Sequence, residues 1–175
     1  LVNLHETSTG RLYDVEMLSS FCKENTLYFI VDAISTFLCD PYSMDAYGID
    51  ATIISSQKGL CLPPGLSAVI LSQRLWEERI RDQQVRSVYF DFKEYVNDLE
   101  RGQTPFTPAA GIVLQLYDAL KRLELEGIEN RLRHVRENCL LFRGLITDLP
   151  ARIPEIRLSN AITPVVFERP VAMSL

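Results

Sequence analysis

An apolar run that ends in a lysine and a tight turn constrains the fold of this chain more than any other feature. Residues 49–56 form a largely apolar stretch that ends in two serines, and Gln57 and Lys58 follow at once. A Pro-Pro-Gly turn at 63–65 leads into a second apolar run at 66–71. A parallel crossover needs a dozen or more residues. We therefore predict that strand 66–71 runs antiparallel to the strand before it.

The position of Lys58 suggests two roles for its amine. Apolar segments lie on both sides of it in sequence, and burial among them would lower the pKa of the amine. An amine in that state forms a Schiff base with a carbonyl. The alternative is a solvated surface charge, which is what most lysines at strand ends are.

Strands and helices alternate along the rest of the chain, which predicts an α/β fold with a mostly parallel sheet. Further strands are expected at 1–5 and 27–31. Asp14 is a candidate N-cap for a helix over 15–25. Later elements are expected as helices at 73–83, 92–99, from Thr107 (N-cap) and Pro108 to Gly127, and 128–149, and as a strand at 162–167.

Composition excludes several classes of function. The net charge of −5 provides no field that would favour nucleic acid or an anionic membrane. Four dispersed cysteines and two histidines argue against a disulfide framework or a metal site, and they fit a reducing, cytoplasmic compartment. No apolar run is long enough to span a membrane, and no signal peptide is visible. The chain begins with Leu1 and ends without a polar tail, so we expect a fragment cut at both ends.

Polar side chains follow the predicted parallel strands where each one ends. Thr7 and Ser8 follow strand 1–5, Asp32 follows strand 27–31, and Lys58 follows the third. Ligands of open parallel sheets bind outside the carboxyl ends of the strands. A lysine, a carboxylate and a hydroxyl in one crevice suit pyridoxal phosphate, whose aldehyde binds an amine and whose protonated ring nitrogen pairs with an acid.

The chain resembles the class V aminotransferases of pyridoxal-phosphate fold type I. This family includes alanine–glyoxylate, serine–pyruvate and 2-aminoethylphosphonate–pyruvate transaminases. The resemblance rests on four motifs in matching order and spacing: Glu6-Thr7-Ser8-Thr9-Gly10, Val31-Asp32-Ala33-Ile34-Ser35, Ser56-Gln57-Lys58-Gly59 with Pro63-Pro64-Gly65, and Arg101-Gly102-Gln103-Thr104-Pro105.

The resemblance implies a catalytic role for one residue and cofactor contacts for two more. Lys58 would hold the internal aldimine and then move the α-proton. Asp32 would pair with the pyridinium nitrogen, and Ile34 would pack on one face of the ring. For Asp32 the alternative is a local cap, and Ile34 is apolar core in either case.

The resemblance also implies cofactor contacts from three loops. Thr7 would contact the phenolic oxygen and Gln57 the phosphate region. Thr104 would reach the phosphate of a neighbouring subunit, which implies a homodimer with a shared active site. Thr7 could instead satisfy loop amides, Gln57 could be a polar plug at the end of the sheet, and Thr104 could be a turn residue before Pro105.

The domain organisation follows from the same resemblance. Residues 1–127 would be the C-terminal half of the cofactor-binding large domain, 128–150 a connecting helix, and 151–175 the start of a small C-terminal α+β domain. The family's phosphate loop would lie before Leu1 and its substrate-carboxylate arginine beyond Leu175. We therefore expect the fragment alone to be inactive and its full-length parent to be the enzyme.

The function favoured by these residues is transfer of an amino group. Alanine, serine or 2-aminoethylphosphonate would be the donor, and a 2-oxo acid such as pyruvate or glyoxylate the acceptor. A lyase or desulfurase of the same fold is the first alternative, although Gln57 stands where desulfurases carry a histidine. The second is a non-catalytic assembly module that uses helix 128–149 to contact a partner.

Overall fold

A computed structural model of the chain describes residues 1–168; the predicted small domain at 151–175 therefore lies partly outside the described residues. The strands are β1 (Val2–Asn3), β2 (His5–Glu6), β3 (Arg11–Leu12), β4 (Ile30–Asp32), β5 (Ala51–Ser55), β6 (Ser67–Leu71), β7 (Ala151–Arg152) and β8 (Val166–Phe167). The α-helices are α1 (Val15–Glu24), α2 (Gln73–Leu75), α3 (Phe92–Glu100), α4 (Ala110–Glu126) and α5 (Ile128–Ile146).

The central sheet has four strands in the order β1-β4-β5-β6. The pairs β1–β4 and β4–β5 are parallel, and Asp32 lies level with Asn3 on one side and Ile53 on the other. Strand β6 is antiparallel to β5 from Ala51↔Leu71 to Ser55↔Ser67. The predicted α/β fold with a mostly parallel sheet and the predicted antiparallel direction of β6 are both confirmed.

The hydrophobic core lies between the sheet and helix α1. Val31 and Ala33 are fully buried, and Leu4, Phe29 and Ile49 pack with them. Helix α1 begins where predicted, since Oδ1 of Asp14 accepts hydrogen bonds from the N–H groups of Glu16 and Met17 at 3.1 Å each. A carboxylate at this position satisfies the free N–H groups of the first turn and favours the helix dipole. This packing fixes the β1 and β4 ends that lead into the site.

The continuation of helix α2 and the start of helix α4 differ from the prediction. Residues Trp76–Ile80 continue α2 as a π-helix that ends before the predicted 83. Helix α4 begins at Ala110 and not at Pro108, so the expectation that Thr107 caps it is wrong. The reason is an inverse γ-turn at Ala109 (φ −72°, ψ 68°), in which the Ala110 N–H donates to the Pro108 carbonyl at 2.8 Å.

Helices α4 and α5 meet at Gly127, which has a φ of 82°. This left-handed conformation ends α4 and lets α5 begin one residue later. The α5 helix ends at Ile146, three residues before the predicted end. The last turn tightens there, with the Thr147 N–H donating to the Gly144 carbonyl at 3.3 Å. No helix within residues 1–168 is both long and apolar enough to cross a membrane.

The C-terminal part of the described chain docks back onto the first loops. Strands β7 and β8 pair antiparallel as a separate two-stranded sheet. The predicted strand at 162–167 is shorter than expected, because Pro164 has no N–H to donate to a ladder. The Leu12 N–H donates to the Arg157 carbonyl at 2.8 Å, and the Ser159 N–H donates to the Gly10 carbonyl at 3.0 Å. These bonds hold residues 157–159 against β3 and the loop that leads into it.

Candidate active site

The lysine turn, residues 57–61, follows β5 and presents Lys58 at the carboxyl end of the sheet. Ser56, at its base, is 1% exposed. Its hydroxyl donates to the Pro63 carbonyl at 2.7 Å and accepts from the Leu66 N–H at 3.3 Å. The Cys61 N–H closes the turn on the Lys58 carbonyl at 2.8 Å. Ser56 therefore ties the start of the lysine turn to the 63–66 segment that leads into β6.

Gly59 brings the lysine turn into direct contact with the backbone of the 33–39 turn. A Cβ atom at Gly59 would lie 1.9 Å from the carbonyl oxygen of Phe37 and 3.2 Å from the Cβ of Leu38. Only glycine allows two backbones to approach this closely. The position of Lys58 is thus set by a main-chain contact with the turn that follows Asp32.

Lys58 faces a cavity of about 300 Å³ formed by the lysine turn, the 33–39 turn, helix α5 and residues 161–162. The residues that line it are Thr7, Ser35, Leu38, Cys39, Lys58, Gly59, Cys61, Arg131, Val135, Ala161 and Ile162. Lys58 is exposed at the mouth of the cavity. Of the two environments that its position suggests, the structure shows the exposed one, because the turn projects beyond the end of the sheet.

Asp32 ends β4 and is half-buried. Its Oδ1 accepts a hydrogen bond from the Ile34 N–H at 2.9 Å, which holds the carboxylate in one orientation. Within residues 1–168, Oδ2 has neither a hydrogen-bond nor an ion-pair partner. A local cap therefore uses one oxygen of Asp32 and leaves the other free for a ligand. Neither Asp32 nor Ile34 lines the Lys58 cavity.

The other predicted cofactor contacts lie in three loops. Thr7 follows β2 and lines the same cavity as Lys58. Gln57 is exposed beside Lys58, and its Oε1 accepts from the Ser55 hydroxyl at 2.5 Å. Thr104 lies in the exposed loop between α3 and α4, where its hydroxyl donates to the Phe106 carbonyl at 2.7 Å. It does not line the Lys58 cavity, so within this chain the structure does not bring it to the lysine.

Four polar lining residues were missed at the sequence level: Ser35, Cys39, Cys61 and Arg131. Ser35 stands in the Val31–Ser35 motif, and its distance of three residues from Asp32 was the available signal. Arg131 belongs to a basic cluster on helix α5 that sequence patterning assigns to the solvated face. Its approach to the cavity depends on how α5 packs, which no local pattern encodes.

The buried His5 and the half-buried Cys39, which lines the cavity, have shifted pKa values. Burial is the main cause that lowers the pKa of His5 from 6.5; Asp40 and Glu6 act in the opposite direction and Lys58 in the same one. Burial, Asp40 and Cys61 together raise the pKa of the Cys39 thiol to about 11. Cys39 is therefore a neutral thiol near pH 7 and a poor nucleophile.

Comparison with known sequences identifies the class of protein that has this fold and this site. The family Aminotransferase class-V matches residues 1–143, more than half of the chain. The chain therefore belongs to the class V aminotransferases, and the resemblance stated from the motifs is confirmed.

Individual relatives agree with this assignment. The chain is 35% identical over 136 residues to an uncharacterized aminotransferase of Methanocaldococcus jannaschii, covering 75% of this chain and 35% of that protein. It is 31% identical over 133 residues to an L-aspartate–glyoxylate aminotransferase of Paracoccus denitrificans, covering 74% of this chain and 33% of that one.

Solved structures agree in fold. An aspartate aminotransferase of subgroup IV from Thermus thermophilus superposes with a TM-score of 0.83 at 29% identity, covering 92% of this chain and 45% of that structure. The chain thus spans about a third of the length of these two relatives and less than half of this structure.

The residues of the site fit pyridoxal phosphate, the cofactor that membership of this family implies. The donor set contains a primary amine at Lys58 and an oriented carboxylate with a free oxygen at Asp32. It also contains the Thr7 hydroxyl, which shares a cavity with the amine. An aldehyde, a pyridine nitrogen and a phenolic oxygen are complementary to these three groups.

Proposed function

We propose that the complete protein is a pyridoxal-phosphate-dependent aminotransferase. It takes the amino group of alanine, serine or 2-aminoethylphosphonate and gives it to a 2-oxo acid such as pyruvate or glyoxylate. Membership of the family supports the reaction class. The names of two relatives, an L-aspartate–glyoxylate and a serine–glyoxylate aminotransferase, support glyoxylate as an acceptor.

In this proposal the chain's own residues hold and activate the reactants. Bound pyridoxal phosphate supplies an electron sink for the α-carbon of the donor. Lys58 Nζ would hold the cofactor covalently and, as a free amine, would move the α-proton of the donor. Oδ2 of Asp32 would pair with the ring nitrogen, while the Ile34 N–H keeps Oδ1 in place.

Four further residues of the proposal position the cofactor. Ile34 would pack on the ring, Thr7 would donate to the phenolic oxygen, and Gln57 would contact the phosphate region. Thr104 of a second subunit would reach the phosphate across the interface of a homodimer. Large apolar side chains exposed on helices α4 and α5, such as Leu114, support a partner surface. Sedimentation equilibrium of the complete protein measures whether it is a dimer. A monomer contradicts this part of the proposal.

The proposal extends to domain organisation and compartment. Residues 1–127 belong to the large domain, 128–150 connect it, and 151–175 begin the small domain; the separate β7–β8 sheet supports that boundary. All four cysteines are free thiols, which supports a reducing compartment such as the cytoplasm.

The observation that carries the proposal is the shared cavity of Lys58 and Thr7 at the carboxyl end of a class V sheet. Lys58→Ala in the complete protein should abolish the visible absorption band of lysine-bound pyridoxal phosphate and reduce turnover by at least about a thousandfold, because both the attachment point and the proton carrier are lost. Lys121→Ala, on helix α4, is the matched control and should keep both. A retained band in Lys58→Ala contradicts the assignment.

A further inference from the structure

The cavity around Lys58 is built to receive an anion. Its polar side chains are two hydroxyls, two thiols and the two cations Lys58 and Arg131. Among residues 1–168 no carboxylate or amide lines it. Every polar side chain there can therefore donate a hydrogen bond, and two of them carry positive charge.

Arg131 approaches this cavity from helix α5, opposite the lysine turn. Its Nη2 lies 3.0 Å from Oε2 of Glu126. Its Nε is buried and, within the described residues, has no hydrogen-bond partner. A buried donor without a partner is costly and rare in folded proteins. The ion pair with Glu126 therefore does not satisfy the whole guanidinium, and N–H groups of Arg131 stay available to a ligand.

Arg131 is not the only partner of the Glu126 carboxylate. Its other oxygen, Oε1, lies 3.2 Å from Nδ1 of His134. Because the carboxylate has this second partner, the guanidinium can share its remaining N–H groups with a ligand. A guanidinium binds a carboxylate or phosphonate through two parallel hydrogen bonds, which an ammonium cannot do.

We propose that Arg131 is a specificity-determining residue that binds a second anionic group at the distal end of the substrate. This narrows the donors proposed above: alanine and serine, whose side chains are uncharged, are disfavoured, and the preferred amino donor is a dianion whose distal group is a carboxylate or a phosphonate. This inference rests on the proposed function, since the cavity must hold the substrate of the Lys58 reaction.

Calorimetry with unreactive anions on the complete protein, loaded with its cofactor, tests this role without turnover. Succinate carries two carboxylates and butyrate only one. Arg131→Gln should weaken succinate binding about tenfold to a hundredfold, the loss expected for charged hydrogen bonds, and leave butyrate unchanged. Arg133→Gln is the matched control, because Arg133 lies on the same helix, is exposed and pairs with Glu137 at 3.9 Å. Equal succinate affinity in Arg131→Gln and the wild type overturns the proposal.

Two further variants separate binding from a structural role. Glu126→Gln removes the competing carboxylate and should tighten succinate binding at least about threefold. Arg131→Lys keeps the positive charge but cannot make two parallel hydrogen bonds, so it should recover part of the affinity. If Glu126→Gln weakens succinate binding, Arg131 serves the ion pair alone and the proposal fails. Both variants remain informative even if Arg131→Gln does not fold.

A third ligand distinguishes the two dianion classes. 3-Phosphonopropionate should also bind Arg131→Gln more weakly than it binds the wild type. If the wild type binds 3-phosphonopropionate more tightly than succinate, the donor is a phosphonate; if it binds succinate more tightly, the donor is a dicarboxylate. If Arg131→Gln binds both ligands as tightly as the wild type does, the inference is wrong. If the absorption band of lysine-bound cofactor is present while the dianion preference is absent, only this inference fails; absence of the band in the wild type contradicts the proposed function itself.

Discussion

His5 is a titratable side chain held almost entirely out of water. It is 4% exposed, and neither ring nitrogen has a hydrogen-bond partner within residues 1–168. An imidazole in this environment is most stable without its proton, because the charged form would lose its hydration. The neighbouring charges oppose one another, with Asp40 and Glu6 favouring the proton and Lys58 disfavouring it.

A pH dependence of stability follows from the lowered pKa of His5. The unfolded chain takes up the proton near pH 6.5, before the folded chain does. The free energy of unfolding should therefore be largest above pH 6.5 and fall as the pH drops through the folded-state pKa. Urea unfolding at pH 7.5, 6.5 and 5.5 measures this slope, and His5→Gln should flatten it. His134→Gln is the control, and an unchanged slope in His5→Gln contradicts the prediction.

The two turns at the carboxyl end of the sheet hold each other through main-chain atoms. The lysine turn meets the 33–39 turn where Gly59 touches the Phe37 carbonyl. Leu38 and Cys61 adopt left-handed conformations beside this contact, with φ values of 62° and 55°. Left-handed backbone is costly for side chains other than glycine and persists only where the surroundings enforce it. Both turns are therefore fixed as one unit.

Gly59→Ala tests this contact. The added methyl group overlaps the Phe37 carbonyl, so one turn must move, and we expect destabilisation of about 1–3 kcal/mol. The displacement of Lys58 should also reduce cofactor occupancy. Gly144→Ala is the control, because nothing lies within 4 Å of a Cβ at that exposed position in α5. It should be neutral or stabilise by about 0.5–1 kcal/mol. Chemical denaturation and the visible spectrum of the loaded protein measure both effects; equal stability of the two variants contradicts the prediction.

Local patterns predicted most of the elements but not all of their ends. Asp14 as a cap and the antiparallel β6 depend on neighbouring residues or on a short connection, and both were predicted correctly. The inverse γ-turn at Ala109 and the π-helix after α2 were missed, because they depend on tertiary packing and not on neighbouring residues. Arg131 was missed for the same reason, since helix α5 reaches the cavity only through tertiary packing.

One buried carboxylate joins segments that lie far apart in the chain. Asp40 is 3% exposed and follows the 33–39 turn. Its Oδ2 accepts from the hydroxyl of Ser159, and its Oδ1 accepts from the Asn160 N–H at 2.9 Å. Arg143 adds a hydrogen bond from helix α5 to the Ser159 carbonyl at 2.6 Å. The segment that closes the Lys58 cavity is thus fixed by residues more than a hundred positions earlier in the chain.

Asp40→Ala should release this segment. Buried donors on Ser159 and Asn160 would lose their acceptor, which costs about 1–3 kcal/mol for each unpaired group. Limited trypsin digestion should then cleave at Arg152 and Arg157 several times faster than in the wild type. Asp45→Ala, an exposed aspartate of the next turn, is the control and should keep the wild-type cleavage rate. Unchanged cleavage in Asp40→Ala contradicts this account.

The contact between Gly59 and the Phe37 carbonyl has a consequence for how such a site can diversify. Main-chain atoms are the same whatever residue is encoded at Phe37, so mutations there leave this contact intact. The walls of the cavity, including Cys39, Cys61 and Ile162, can therefore drift through many amino acids while the reactive amine keeps its place. The main-chain contact keeps the reactive lysine in position, while the side chains of the cavity walls can change to fit new metabolites.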